Sequence, residues 1–250
     1  NLRDLSENVI AREKVLYEGQ TVAAVAANTV EIAEQAVALI TVEYEVLPHV
    51  IDVLEAMKDD APLLHDDMFT GGVKPKPEKP SNVANRVEFS LGDIDAGFAA
   101  ADVVIEKDFT TEPVHQGYIE PHAVVADANP EGKVDIWCSS QGHFMVRTFV
   151  AGLLKIDMSK IKVTAAEIGG GFGGKTTVYL EPLAVMLSSK SGRPVRMVMS
   201  RDEVFRASGP TSGAAMTIKM GAKKDGTIVA CDATLYLQAG AWPGSPVGPA

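Results

Sequence analysis

The residues best suited to do chemistry lie in Gly169-Gly170-Gly171-Phe172-Gly173-Gly174-Lys175-Thr176. Five glycines in six positions leave backbone N–H groups unshielded and permit positive φ. Such a loop can approach an anionic or oxo-bearing ligand closely. A strand is predicted before it over residues 161–168, and a helix after it from about Thr177. The helix N-terminus adds partial positive charge at the loop. A tight turn alone needs one or two glycines, so five point to ligand approach. The segment also fits the phosphate-loop pattern G-x-x-x-x-G-K-[ST] at Gly169, Gly174, Lys175 and Thr176. A nucleotide-binding module is therefore one reading. Three features oppose it. The loop follows two strand–helix passes instead of opening its domain. Only 74 residues follow Thr176. The best second Mg²⁺ ligand, Asp202, is separated from the predicted strand 195–199 by Ser200 and Arg201.

Other polar residues cluster upstream. Ser139-Ser140-Gln141-Gly142 ends a predicted strand and precedes a helix, so Gln141 by itself reads as a helix-capping residue. In His115-Gln116-Gly117-Tyr118-Ile119-Glu120-Pro121-His122, Glu120 and His122 flank a proline. Metal ligation with His115 or His143 would need a compact spacing that is absent, so a structural role is favoured. His143 would lie near a pocket mouth, and Glu167 enters the glycine loop as a weak candidate base. Cys138 and Cys231 cannot build a disulfide framework or a four-thiolate site, and both read as small buried hydrophobes.

These residues need elements to position them. Residues 22–27 read as a buried strand. Asn28 reads as a helix N-cap with Glu31 as its capping-box partner, followed by apolar positions at helical spacing through Ile40. Residues 41–46 alternate as a half-buried strand that Pro48 stops. Residues 59–86 hold Pro62, Pro75, Pro77 and Pro80 and read as a surface spacer. Beyond Val87, a short helix is predicted after Asp93 and a strand over 103–109. Strands 123–128 and 133–138 join at Asn129-Pro130-Glu131-Gly132, and a helix follows over 144–154. Gly192 and Pro194 end the helix after the loop, and a hairpin turns at Asp225-Gly226. The fold class is α/β (α+β) with a mixed sheet, divided as 1–58, a spacer 59–86, and 87–250.

Composition narrows the function. Acidic residues number 33 against 23 basic, a formal charge of −10, which repels phosphate backbones and disfavours nucleic-acid binding. No apolar run reaches the roughly 20 residues of a membrane span. A cytoplasmic protein with no signal peptide is expected.

The ordered segments Tyr17-Glu18-Gly19-Gln20-Thr21-Val22, Val42-Glu43-Tyr44-Glu45-Val46-Leu47-Pro48, His115 to His122, Ser139 to Gly142 and the glycine loop resemble the molybdenum-binding subunit of the xanthine dehydrogenase and aldehyde oxidase family. The resemblance covers nearly the whole chain. It implies the back half of a hammerhead α/β domain followed by the first part of a molybdopterin-binding domain. It implies an oxidoreductase that hydroxylates an aldehyde or electron-poor (hetero)aromatic carbon with oxygen from water. The cofactor would be molybdenum–molybdopterin, in some members the cytosine dinucleotide, with electrons passing to Fe–S clusters and FAD on partner domains or subunits. Gln141 would place its side-chain amide beside a molybdenum oxygen ligand. Gly171, Phe172 and Gly173 would form the loop tip, Phe172 walling the substrate pocket and Gly173 presenting its N–H. Gly170 and Gly174 would shape the turn. Lys175 would either neutralise nearby negative charge or point to solvent. The molybdenum would be held by the pterin dithiolene, with no direct protein ligand. Thr176 stands where xanthine-oxidising members carry a Glu, which argues against xanthine as substrate. The family's catalytic glutamate has no counterpart here, so no catalytic residue is assigned within the chain, and the piece alone is expected to be inactive. A non-catalytic scaffold piece is the remaining alternative.

Overall fold

The computed structural model describes residues 2–242. In chain order the elements are α1 (Leu2–Val9), α2 (Val30–Ala38), α3 (Val53–Ala56), α4 (Ile94–Ala99), β1 (Val103–Thr111), β2 (Ala123–Ala128), β3 (Val134–Cys138), α5 (His143–Leu154), β4 (Ile161–Ala165), α6 (Glu181–Ser191), β5 (Val195–Val198), α7 (Arg201–Ala207), β6 (Ala214–Ala222) and β7 (Ile228–Leu237). They form two compact units, each assembled from separated stretches: residues 2–45 with 115–210, and 46–114 with 211–242.

The first unit is built on a four-stranded mixed sheet in the order β4-β3-β2-β5. β2 pairs antiparallel with β3 and β5, while β3 and β4 run parallel. Alternation decides which face is buried. Val124, Ala126 and Ala128 of β2 pair across to Cys138, Ile136 and Val134 of β3, and all six are buried. Against that face pack Val146, Val150 and Ala151 of α5 and Leu183 and Ala184 of α6. Each such side chain contributes roughly 1.5–3 kcal/mol relative to an exposed one, the smaller alanines less. Ser188 of α6 is fully buried, accepting the Ala128 N–H at 2.9 Å and donating to the Arg193 carbonyl at 2.8 Å. α6 carries Pro182 in its first turn and stops at Gly192 with φ +65°, as the pattern predicts.

Several boundaries differ from expectation. β4 ends at Ala165, opposite Cys138, so residues 166–168 have left the sheet and lead into the glycine loop. α6 begins at Glu181 instead of near Thr177, because the Glu181 carboxylate accepts the Tyr179 N–H at 3.0 Å and fixes the turn before the helix. The N-cap of α2 is Thr29, whose hydroxyl accepts the Ile32 N–H at 3.3 Å. Asn28 instead accepts a 2.7 Å hydrogen bond from Arg193. Residues 22–27 and 41–46 pair with no strand among the described residues, and a strand exists only through its ladder partner.

The second unit carries the antiparallel sheet β1-β6-β7, with its hairpin turning at Gly226, φ +91°. The proline-rich stretch belongs to this unit. Asn82 holds it there, accepting the Leu64 N–H and donating to the Ala56 and Pro62 carbonyls. Cys138 is buried as expected. Cys231, on β7, is exposed and does not fit that expectation.

Candidate functional site

The parallel pair β3 and β4 sets the location. Residues 139–142 leave the carboxyl end of β3, and the glycine loop leaves the carboxyl end of β4 beside it. Loops at the carboxyl ends of adjacent parallel strands make a ligand crevice in α/β sheets. Here they interlock. The Gln141 N–H donates to the Lys175 carbonyl at 2.9 Å, and the Ser140 hydroxyl reaches the same oxygen at 3.3 Å. Gln141 Oε1 accepts the N–H groups of Gly173 at 3.0 Å and Lys175 at 3.1 Å. Two donors on one oxygen settle the amide orientation, so Gln141 Nε2–H₂ is the edge left for another partner. Gly171 lies directly under this amide: a Cβ there would sit 2.5 Å from Gln141 Oε1.

The loop tip is unusual in its backbone. Phe172 has φ +50°, sparsely populated for a bulky side chain, and its ring is 73% exposed. Gly170 and Gly173 have φ of +97° and +92°. At Gly173, no described residue beyond its chain neighbours lies within 4 Å of the position a Cβ would take, so that side of the loop is open. The family resemblance implies that Gly173 presents its N–H with no Cβ in the way. Gln141 takes it instead, and among the described residues the donors left without a partner at the loop are the Gln141 amide edge and the N–H groups of Gly170, Gly171 and Phe172. Thr176 donates its hydroxyl to the Gly173 carbonyl at 2.8 Å.

Beneath the loop lies a polar network. The Lys175 side chain is fully buried, with Nζ 2.7 Å from Glu120 Oε2. That settles the two expectations for Lys175: it neutralises a carboxylate and does not reach solvent. Burial would raise the Glu120 pKa, but the ammonium and the Gly169 N–H outweigh it and hold the carboxylate below its ordinary range. The Lys175 cation also stands 5.0 Å from the centre of the buried Tyr118 ring. Tyr118 Oη bonds His122 Nε2 at 2.7 Å and Ser208 Oγ at 3.0 Å. His115 Nδ1 accepts the Gly117 N–H, so its Nε2–H donates to Ser208 at 3.0 Å. His122 is kept neutral, its pKa lowered to about 4 by burial first, then by Lys175 and His115. Deeper still, burial pushes the Glu181 carboxyl up, and the Cys138 thiol beside it rises to about 12.

This geometry removes the nucleotide reading. A phosphate-loop lysine must be free to meet phosphate and its Ser/Thr to meet Mg²⁺, whereas Lys175 is consumed by Glu120 and Thr176 by the loop itself. Glu120 and His122 turn to Lys175 and Tyr118. Among the described residues no three His, Cys, Asp or Glu side chains converge on a metal position. His143 stacks on Phe144 and lines a separate cleft of about 290 Å³ with Arg147, Ser159 and Lys162. Sequence reasoning missed Ser208 and Tyr118. Tyr118 stood inside a conspicuous polar segment, but Ser208 lies 90 residues away with no local signal.

Residues 75–250 match the family model of the molybdopterin cofactor-binding domain, and residues 1–48 match the a/b hammerhead domain of aldehyde oxidase and xanthine dehydrogenase. The chain belongs to the molybdopterin cofactor-binding domain family. Among relatives of this molybdopterin-binding chain, a probable xanthine dehydrogenase subunit of Bacillus subtilis is 33% identical over 97% of the chain and 30% of its own length. The nicotinate dehydrogenase large molybdopterin subunit of Eubacterium barkeri is 32% identical over 98% of the chain and 54% of its own length. Reconstituted CO dehydrogenase from Oligotropha carboxidovorans superposes with a TM-score of 0.77 at 34% identity, covering 91% of this chain and 29% of that one. The molybdopterin-binding chain thus spans between about a third and a half of these relatives' lengths.

Proposed function

We propose that this chain supplies cofactor-facing loops of a molybdenum hydroxylase acting on an aldehyde or electron-poor (hetero)aromatic carbon. One observation carries the reading: Gln141 and the Phe172–Gly173 backbone, 31 and 32 residues apart, meet at the mouth of the β3–β4 crevice, joined by the Gly173 N–H bond to Gln141. The residues fit an oxygen-bearing molybdenum–pterin group. Among the described residues, the Gln141 amide edge is an uncharged donor without a partner, Gly173 is open above, and Gln116 Oε1 near Gly174 is a buried acceptor lacking a donor. When bound, such a group would supply the chemistry of transferring water-derived oxygen to carbon with uptake of two electrons. Gln141 donates to an oxygen ligand without adding charge. Gly171 lets the amide lie against the loop. Phe172 walls the substrate side and excludes water. Thr176, turned onto the Gly173 carbonyl, offers no charge to a purine, so xanthine is disfavoured as substrate.

The proton acceptor for hydroxylation is assigned to residues outside this chain, which alone turns nothing over. Of the described carboxylates only Glu120 bonds the loop, and it is held ionised by Lys175. The cytosine dinucleotide form of the pterin, Fe–S and FAD-bearing partner domains or subunits, and a cytoplasmic location complete the reading. No helix among the described residues is long and apolar enough to cross a membrane. The test is metal and pterin content of the full-length protein. Stoichiometric molybdenum, lost or spectroscopically altered in Gln141→Ala, is expected, whereas a wild-type protein free of molybdenum rejects the reading in favour of a scaffold role.

A further inference from the structure

A loop with five glycines in six positions resists ordering, because glycine gives up more backbone freedom than any other residue. Something outside the loop must hold it. Both of its ends are held by one oxygen atom. Glu120 Oε2 accepts the Gly169 N–H at 2.7 Å and the Lys175 ammonium at 2.7 Å. The Glu120 N–H returns a bond to the Gly169 carbonyl at 3.2 Å. Gly169 has no room to drift, since a Cβ there would stand 2.7 Å from Glu120 Cβ.

Lys175 connects this carboxylate to the crevice. Its side chain ends on Glu120, while its main chain donates to Gln141 Oε1 and accepts from the Gln141 N–H. The segment that carries Glu120 is anchored in turn. Arg201 donates to the Tyr118 carbonyl at 2.9 Å and also to the Ile119 carbonyl, and the Tyr118 ring underlies the Lys175 cation. An ammonium as deeply buried as that of Lys175 is a costly way to hold two segments together if stability alone is wanted, even with the part-exposed Glu120 as its partner. What it supplies is short, directional bonding to a fixed point.

We propose that Glu120 is a positioning residue, tying Gly169 and Lys175 to one carboxylate oxygen so that the Gln141 amide edge and the Phe172 tip stand in a single arrangement toward the cofactor. This rests on the molybdopterin reading for what is positioned, and on the geometry above for how.

The test uses the full-length protein in three forms: wild type, Glu120→Gln, and Glu120→Gln with Lys175→Met, which removes both charges at similar volume. Peptide-resolved hydrogen exchange over residues 169–176 reads the clamp. Molybdenum and pterin content with the Mo(V) electron paramagnetic resonance spectrum read the site. In the double variant, exchange in 169–176 rises by at least about tenfold while the β2–β3 strands stay protected, and the Mo(V) spectrum shifts or cofactor content falls. Glu120→Gln shows the same loosening. Unchanged exchange overturns the proposal. So does a loosened loop with unchanged spectrum and content, and so does loss of protection throughout the unit, which makes the pair a stability element only. A wild-type protein without molybdenum rejects the cofactor reading, while the exchange measurement still judges the clamp.

Discussion

Gly171→Ala tests the convergence of the two loops most directly. Gly171 is buried and its φ is not in the positive region, so alanine is tolerated by the backbone itself. The three atoms nearest the new methyl all belong to Gln141: Oε1 at 2.5 Å, Cδ at 2.7 Å and Cγ at 3.0 Å. Restoring ordinary contact, about 3.4 Å, drives the amide back by roughly 0.9 Å. The Gly173 and Lys175 bonds to Oε1, now 3.0 and 3.1 Å, then stretch past hydrogen-bonding range. Two lost bonds at about 1 kcal/mol each give a local cost of about 2 kcal/mol. Gln141→Ala loses the same two bonds for a similar cost. It also deletes the three atoms that the methyl approaches most closely, so in the double variant that clash is relieved. The two changes should therefore couple by about 2 kcal/mol, the double variant being no less stable than either single one. Local opening energies from hydrogen exchange at the Gly173 and Lys175 amides, in the full-length protein, provide the assay. Additive effects within about 0.5 kcal/mol would refute the contact and the site built on it.

Three further outcomes follow from the same network. Gly174→Ala would place a methyl 2.7 Å from Tyr118 Cε1, a ring only 1% exposed, and should cost about 1–3 kcal/mol, checked by urea unfolding. The pKa of His122, lowered to about 4, makes the unfolded chain bind more protons between there and about 6.5. Stability should thus fall as pH falls through that window, by at most about 3 kcal/mol, and His122→Phe should flatten the slope. An equal slope in the variant would place the titration elsewhere. Calorimetric titration with Mg-nucleotide should show no micromolar binding, since Lys175 and Thr176 are committed within the protein. Binding abolished by Lys175→Ala would restore the phosphate-loop reading.

Much of the arrangement was legible from local pattern. The strand pair 123–128 and 134–138, helix α5, the glycine end of α6 and the β6–β7 hairpin are written in periodicity and turn residues, which act over a few neighbours. The glycine loop announced close approach by composition, and its ordered spacing from Gln141 carried the family resemblance. What pattern could not supply were facts requiring a partner distant in sequence. Residues 22–27 have a strand's composition and no ladder among the described residues. Lys175 reads equally as a neutraliser of nearby negative charge or a solvent-facing cation, with the disfavoured phosphate-loop role beside them. Only the fold places Glu120, 55 residues earlier, against its ammonium and so decides. Gln141 likewise reads as a helix cap until β4 aligns beside β3 and brings Gly173 and Lys175 onto its oxygen. Sequence determined which groups are present and which turns they permit. Tertiary structure decided which donors are spent internally and which are left to face a ligand, because hydrogen bonds and charge pairs depend on distances of about 3 Å that chain spacing does not encode.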